Sequence, residues 1–153
     1  MINTAEKLPT FSLENQDGQV RTNASYAGKW LVLYVYPKDD TPGCTVQGKG
    51  FTATKADFDT AGAIVAGLSA DDTASHKDFC NKFSFTIELL ADPEAKLLGA
   101  LGVGQSEWKG TKYWDRTTFL VDPTGVVRKV YEKVDPKAHE QAVLADIAAL
   151  KNA

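Results

Sequence analysis

The apolar positions of this chain fall into two patterns, and their alternation predicts the fold. Trp30-Leu-Val-Leu-Tyr-Val-Tyr36 is an unbroken apolar run rich in β-branched and aromatic side chains, and Ala63-Ile-Val-Ala-Gly-Leu-Ser69 is a second. Runs this short and without alternation predict strands covered on both faces. Between them Phe51, Lys55 and Phe58 recur at helical spacing in a segment that ends near Ala61-Gly62. The order strand, helix, strand predicts a right-handed parallel crossover and an α/β core.

The other segments fill in around that unit. Thr10 to Leu13 and Gln19 to Thr22 flank Asn15-Gln16-Asp17-Gly18, a turn-forming cluster, and predict an N-terminal hairpin. Asp71-Asp72 can cap a helix running through Ser75 to Lys82, on which His76, Phe79, Cys80 and Phe83 share one face, so Cys80 is expected to be at least partly buried. Ile87 to Ala91 is a third short strand, and Asp92-Pro93-Glu94 reads as a cap with proline at N1, opening a helix that stops near Gly99. Residues 102 to 115, with three glycines, read as an irregular surface loop. Arg116 to Val121 and Val126 to Tyr131 flank Asp122-Pro-Thr-Gly125, whose residues suit a type I turn, and predict a hairpin at one side of the sheet. Asp135-Pro136 is expected to open the last helix, with Val143, Ile147 and Leu150 as its apolar stripe.

Length and composition narrow the function. The 153 residues, 43% hydrophobic and 24% charged, fit a single domain over residues 1–153 with a sizeable core, and no repeat or linker divides them. A net charge of -3 without a dense Lys/Arg cluster argues against nucleic acid as a partner, and no apolar run approaches the ~20 residues that span a bilayer. Met1-Ile-Asn-Thr-Ala-Glu-Lys lacks the apolar stretch of a secretion signal, so the expected location is cytoplasmic, where two cysteines more often mean redox chemistry than a structural staple.

That chemistry centres on Cys44. Pro37 cannot continue a ladder, and Thr41-Pro42-Gly43 sets a polar cap and two chain punctuators ahead of the cysteine. Cys44 is thereby placed in or just before the first turn of a helix, where free N–H groups and the positive end of the macrodipole stabilise an anion such as a thiolate. Gly48 and Gly50 follow in the first turns and weaken the helix start. Other readings compete. A thioredoxin-type exchanger would need a Cys-x-x-Cys pair, which is absent; a zinc site would have to draw on Cys44, Cys80, His76 and His139 without the paired short spacings such sites use; a binding module could hold both cysteines as small core hydrophobes.

Pro37-Lys-Asp-Asp-Thr41-Pro-Gly-Cys44-Thr45 resembles the active-site signature of the peroxiredoxins, in the Q-type or bacterioferritin-comigratory-protein subgroup, and Arg116-Thr-Thr-Phe-Leu-Val-Asp resembles that family's arginine strand. The similarity covers nearly the whole chain. It implies a thioredoxin-like fold with a central mixed sheet flanked by helices, and thiol-dependent reduction of hydrogen peroxide and organic hydroperoxides without cofactor or metal. It also implies re-reduction by thioredoxin or a similar dithiol protein, and a monomer. By the same resemblance Cys44 is the peroxidatic cysteine, Thr41 the hydroxyl partner of thiolate and peroxide, Pro37 the shield of the pocket and Arg116 the cation beside the sulfur. Two positions depart from the pattern. Gln47 stands where the subgroup commonly carries Glu, and Lys49 where many members carry the resolving cysteine, leaving Cys80 as the only other thiol and the implied partner of Cys44 in an intramolecular disulfide.

Overall fold

The computed structural model describes residues 1–152. Strand β1 (Ser12–Asn15) and β2 (Val20–Thr22) form the N-terminal hairpin, closed by an Asn15 N–H bond to the Gln19 carbonyl at 2.9 Å and by Gly18 at φ 74°. A 3-10 turn (Asn23–Tyr26) leads to β3 (Trp30–Val35), followed by α1 (Pro42–Ala53), α2 (Lys55–Thr60), β4 (Ala63–Ser69) and α3 (Thr73–Phe83). The chain continues through β5 (Glu88–Ala91), α4 (Lys96–Leu101), β6 (Gln105–Trp108), β7 (Thr111–Trp114), β8 (Thr117–Val121), β9 (Val127–Glu132) and α5 (His139–Lys151). Seven strands make one mixed sheet in the order β2-β1-β5-β4-β3-β8-β9, in which β3, β4 and β5 run parallel and the outer pairs antiparallel.

The unbroken apolar run of β3 follows from its central place. Val32, Tyr34 and Tyr36 enter a core on one face with Phe51, Phe58, Phe79, Phe85, Val143 and Ile147. Leu31, Leu33 and Val35 enter a second core on the opposite face with Leu68, Leu97, Leu98, Leu101 and Phe119. Alternate residues of a strand point to opposite faces, so a strand covered on both sides must be apolar throughout. Helices α1, α2, α3 and α5 supply the first core and α4 the second.

Four local expectations are corrected. The helix expected to run from Cys44 to Ala61 is two helices, because Thr54 turns its hydroxyl back onto the Gly50 carbonyl at 2.8 Å and leaves helical geometry at φ -105°, ψ 10°. Pro93 does not open α4. Asp92, 1% exposed, instead caps it from a distance, accepting from the Lys96 N–H at 3.0 Å and the Leu98 N–H at 2.8 Å while Ala95 takes φ 55°, and the helix ends at Gly102 rather than Gly99. Asp135 spends its side chain on the Lys137 N–H at 2.9 Å, so α5 begins at His139. Residues 102 to 115 contain the β6–β7 hairpin, turning through Lys109 (φ 50°) and Gly110 (φ 79°), the left-handed pair that tight hairpins favour. Its first strand is exposed along its whole length, so no apolar alternation announced it.

Candidate active site

The loop of residues 37 to 41 leaves β3 after Tyr36, whose N–H still bonds the Leu68 carbonyl at 3.1 Å. Asp40 takes φ 56°, and the chain enters α1 with Thr41 as N-cap in extended geometry, Pro42 at N1, Gly43 at N2 and Cys44 at N3. Cys44 is 2% exposed. Its sulfur therefore lies in the first turn, near the unpaired amides that favour an anion.

Sheet register delivers the cation. Because β8 pairs antiparallel with β3 with Thr117 opposite Val35, Arg116 stands beside the chain just as it turns into α1. Arg116 Nη2 donates to Cys44 Sγ at 3.4 Å, and Nη1 of the same guanidinium donates to Gln47 Oε1 at 3.0 Å. Gln47 is fully buried one turn beyond the cysteine, and its Nε2 has no hydrogen-bond partner among the described residues. No carboxylate pairs with Arg116 among the described residues, so its charge is directed at the sulfur rather than spent on an ion pair. Gly43 makes the approach possible, since a Cβ there would stand 2.4 Å from Arg116 Nη2. Gly48 likewise receives the ring of Phe85, 2.4 Å from its would-be Cβ, so it serves close packing as well as a weak helix start.

Thr41 and Pro37 stand at the mouth. A cavity of about 390 Å³ is lined by Pro37, Thr41, Trp108, Tyr113, Trp114 and Arg116, so the unforeseen hairpin walls the site with aromatic rings. The Thr41 hydroxyl donates to the Lys38 carbonyl at 2.9 Å rather than to the cysteine, which leaves its lone pairs to accept from an entering O–H group. A second cavity, of about 360 Å³, lies among Leu8, Tyr26, Leu31 and Val121 at the other end of β3.

Cys80 lies in the last turns of α3, 6% exposed, in the same apolar core as Cys44, and both thiols are free. Burial pushes its thiol up to about 12, the carboxylates of Asp39 and Asp17 add to this, and Lys77 opposes it in part. One turn earlier His76 is fully buried, its Nδ1 2.7 Å from Asp39 Oδ2. The sequence placed His76 on the Cys80 face but did not pair it with Asp39, because nothing in a loop of charged and turn residues marks one of two adjacent aspartates as buried.

Comparison with known proteins agrees with this geometry. The AhpC/TSA family matches residues 4–130. Peroxiredoxin Bcp of Xanthomonas campestris pv. campestris is 41% identical over 135 residues, 86% of this chain and 84% of that protein. Among solved structures, a PrxQ cysteine-to-serine mutant from Xylella fastidiosa superposes with a TM-score of 0.93 at 31% identity, covering 99% of this chain and 98% of that one. The bacterioferritin comigratory protein of Xanthomonas campestris, described with trapped intermediate and ligand complexes and with alkyl peroxide reduction activity, gives 0.89 at 36% identity over 97% of this chain and 99% of that one. The chain thus belongs to the AhpC/TSA family, within its bacterioferritin-comigratory and Q-type peroxiredoxins, and has their thioredoxin-like fold.

Proposed function

We propose that this thiol peroxidase carries its chemistry on Cys44, with Arg116, Thr41 and Pro37 shaping the pocket and Cys80 resolving the oxidised sulfur. The Cys44 thiolate attacks one oxygen of hydrogen peroxide or an organic hydroperoxide. The O–O bond breaks, the other oxygen leaves as hydroxide or alkoxide and takes up a proton as water or alcohol, and Cys44 becomes a sulfenic acid. Cys80 then attacks that sulfur, forming an intramolecular disulfide as the hydroxyl departs with the Cys80 proton as water. Thioredoxin or a similar dithiol protein reduces the disulfide by exchange, becoming a disulfide itself. The protein acts as a cytoplasmic monomer.

The observation that carries this reading is the guanidinium 3.4 Å from the Cys44 sulfur at the first turn of α1. Attack builds negative charge on the leaving oxygen while drawing it from the sulfur, so a donor pair that spans both atoms stabilises the transition state more than the reactant. Arg116 and the N-terminal amides of α1 fit that demand, and the hydroxyl of Thr41 can accept a hydrogen bond from the peroxide O–H. Stopped-flow mixing of the reduced protein with hydrogen peroxide, followed by mass analysis with and without a thiol-blocking reagent, tests it. The expected product carries one Cys44–Cys80 disulfide per chain; a chain-to-chain disulfide would overturn the role of Cys80.

A further inference from the structure

Behind the pocket the loop of residues 37 to 41 is tied to α3 by a buried network that the peroxide chemistry does not use. Asp39, 7% exposed, accepts from Tyr36 Oη at 2.5 Å through Oδ1 and from Ser75 Oγ at 2.8 Å through Oδ2, and Oδ2 also lies 2.7 Å from His76 Nδ1. The second His76 nitrogen is 2.9 Å from the Leu90 carbonyl. A carbonyl only accepts, so Nε2 carries a hydrogen, and one proton lies between Nδ1 and the Asp39 carboxylate in a charge-assisted bond. The Asp39 N–H donates in turn to Asp71 Oδ2 at 2.9 Å, which also accepts from Ser69 Oγ at 2.7 Å. With both imidazole nitrogens engaged, His76 keeps no lone pair for a cation, and the cluster is a structural tie rather than a metal site.

Its position gives the tie a consequence. Asp39 lies five residues before Cys44, and His76 lies one helical turn before Cys80 on the same side of α3. We propose that Asp39, held by His76 and Ser75, is a clasp that fixes α3 to the Cys44 loop while peroxide reacts, and that opening this clasp is what frees Cys80 to reach the Cys44 sulfenic acid. This rests on the assignment of Cys80 as the resolving cysteine. Both thiols are free, the Cys44 sulfur bonded by Arg116 and Cys80 buried in the apolar core that also holds Phe79 and Phe85. A disulfide requires Cα atoms within roughly 7 Å and correctly aimed Cβ atoms, and to form one the Cys44 sulfur has to leave Arg116 and Cys80 its buried place on α3, which moves α3 or the start of α1. The bonds from His76 and Ser75 to Asp39 are the buried polar ties between that loop and the helix that must give way; an exposed ion pair, Lys82 Nζ to Asp40 Oδ2 at 2.8 Å, joins the same two elements at the surface. Asp39 has a second effect, since its carboxylate also helps keep the Cys80 thiol protonated while the clasp is shut.

Single-turnover mixing with one equivalent of hydrogen peroxide separates sulfenic acid formation from disulfide formation. Ser75→Ala removes one tie from α3 at a half-buried position without opening a core cavity, and should speed disulfide formation roughly fivefold, the worth of one hydrogen bond, while leaving the first phase unchanged. His76→Leu should speed it further and make the protein harder to over-oxidise; where it does not fold, Ser75→Ala alone decides. Tyr36→Phe removes a bond to Asp39 and a longer 3.3 Å contact to His76 Nδ1 while leaving the bonds from Ser75 and His76 to Asp39 in place, and should accelerate the second phase less than Ser75→Ala. Disulfide formation at the parental rate in Ser75→Ala, or equal acceleration by Tyr36→Phe, overturns the clasp. Absence of a Cys44–Cys80 disulfide in the parent protein overturns instead the role of Cys80.

Discussion

The two cysteines share one apolar core and are almost equally hidden, yet their surroundings are opposite. Cys44 sits at the start of a helix with a guanidinium on its sulfur; Cys80 sits near the end of one, where the carboxylates of Asp39 and Asp17 act on it more strongly than Lys77 does. The positive end of α1 and the Arg116 guanidinium face the sulfur of the first. Burial, Asp39 and Asp17 keep the second a thiol. Burial alone therefore does not distinguish a reactive cysteine from an inert one; the sign of the charge that faces the sulfur does. On the proposed assignment the same contrast separates the steps in time, because Cys80 would become a nucleophile only once it has left the environment that protonates it.

Cys44→Ser should give the largest effect, loss of peroxidase turnover, because a serine hydroxyl is not ionised near neutral pH and the cationic site then has no anion to present. Cys80→Ser should leave the first peroxide attack intact and stop the cycle at the sulfenic acid, read as one oxidised equivalent per chain and ready over-oxidation. Turnover that persists in Cys44→Ser and depends on Cys80 would reverse the comparison.

The geometry around Arg116 offers a sharper test. Gly43 lies inside a helix at an ordinary φ, where alanine should be neutral or stabilising by up to about 1 kcal/mol. Its Cβ would stand 2.4 Å from Arg116 Nη2, so the guanidinium has to leave the sulfur. Gly43→Ala is expected to slow peroxide attack by about tenfold to a hundredfold without lowering the urea midpoint, and Arg116→Lys, which keeps the charge but loses the fork, should fall in the same range. A variant that attacks peroxide at the parental rate would show that the contact with Cys44 is incidental.

How far this contrast was legible in the sequence depends on how each side is built. The Cys44 side is local: Pro37, Thr41, Pro42 and Gly43 carry their meaning within a few residues, and the start of α1 follows from them. Arg116 is remote, yet it sits at the head of an apolar strand whose register with β3 fixes where it lands. The Cys80 side is not local. The Asp39–His76 pair joins residues 37 apart, through side chains whose types are as common on surfaces as in cores. The β6–β7 hairpin that carries Trp108, Tyr113 and Trp114 was legible only as an irregular loop for a related reason: β6 is exposed throughout and carries no hydrophobic period.

Gln47 allows the charge on the Cys44 side to be changed in place. Its amide oxygen receives Arg116 Nη1, and as a neutral partner it leaves the guanidinium uncompensated. Gln47→Glu keeps the shape and the bond but puts a negative charge beside the thiolate and neutralises the arginine, so the pH at which peroxide attack reaches half its maximum should move upward. At a fixed pH below that midpoint, the variant should be slower by about tenfold for every pH unit that the midpoint has risen. A midpoint that stays where it is, or falls, would mean that the helix start rather than Arg116 sets the charge at Cys44.

The smallest effect concerns the second buried histidine, which supports the Cys44 side as His76 supports the other. His139 opens α5, its Nε2 2.9 Å from the Thr118 hydroxyl and its ring edge-on to Phe51 and Tyr131. Among the described residues no carboxylate bonds it, and burial lowers it from 6.5 to about 4, with Asp146 opposing in part. The unfolded chain therefore takes up a proton near pH 6.5 that the folded chain refuses until about pH 4. Protonation below 6.5 favours the unfolded state, and stability is lost as pH falls through that window. The loss is at most about 1.4 kcal/mol per pH unit, on the order of 3 kcal/mol across the window before solvent screening reduces it. Urea unfolding at pH 7, 5.5 and 4.5 should show the decline in the parent and a flatter profile in His139→Leu, whatever that change costs at pH 7. A variant as acid-sensitive as the parent in that range would assign the decline to another group, and would leave His139 as a packing residue whose protonation plays no part.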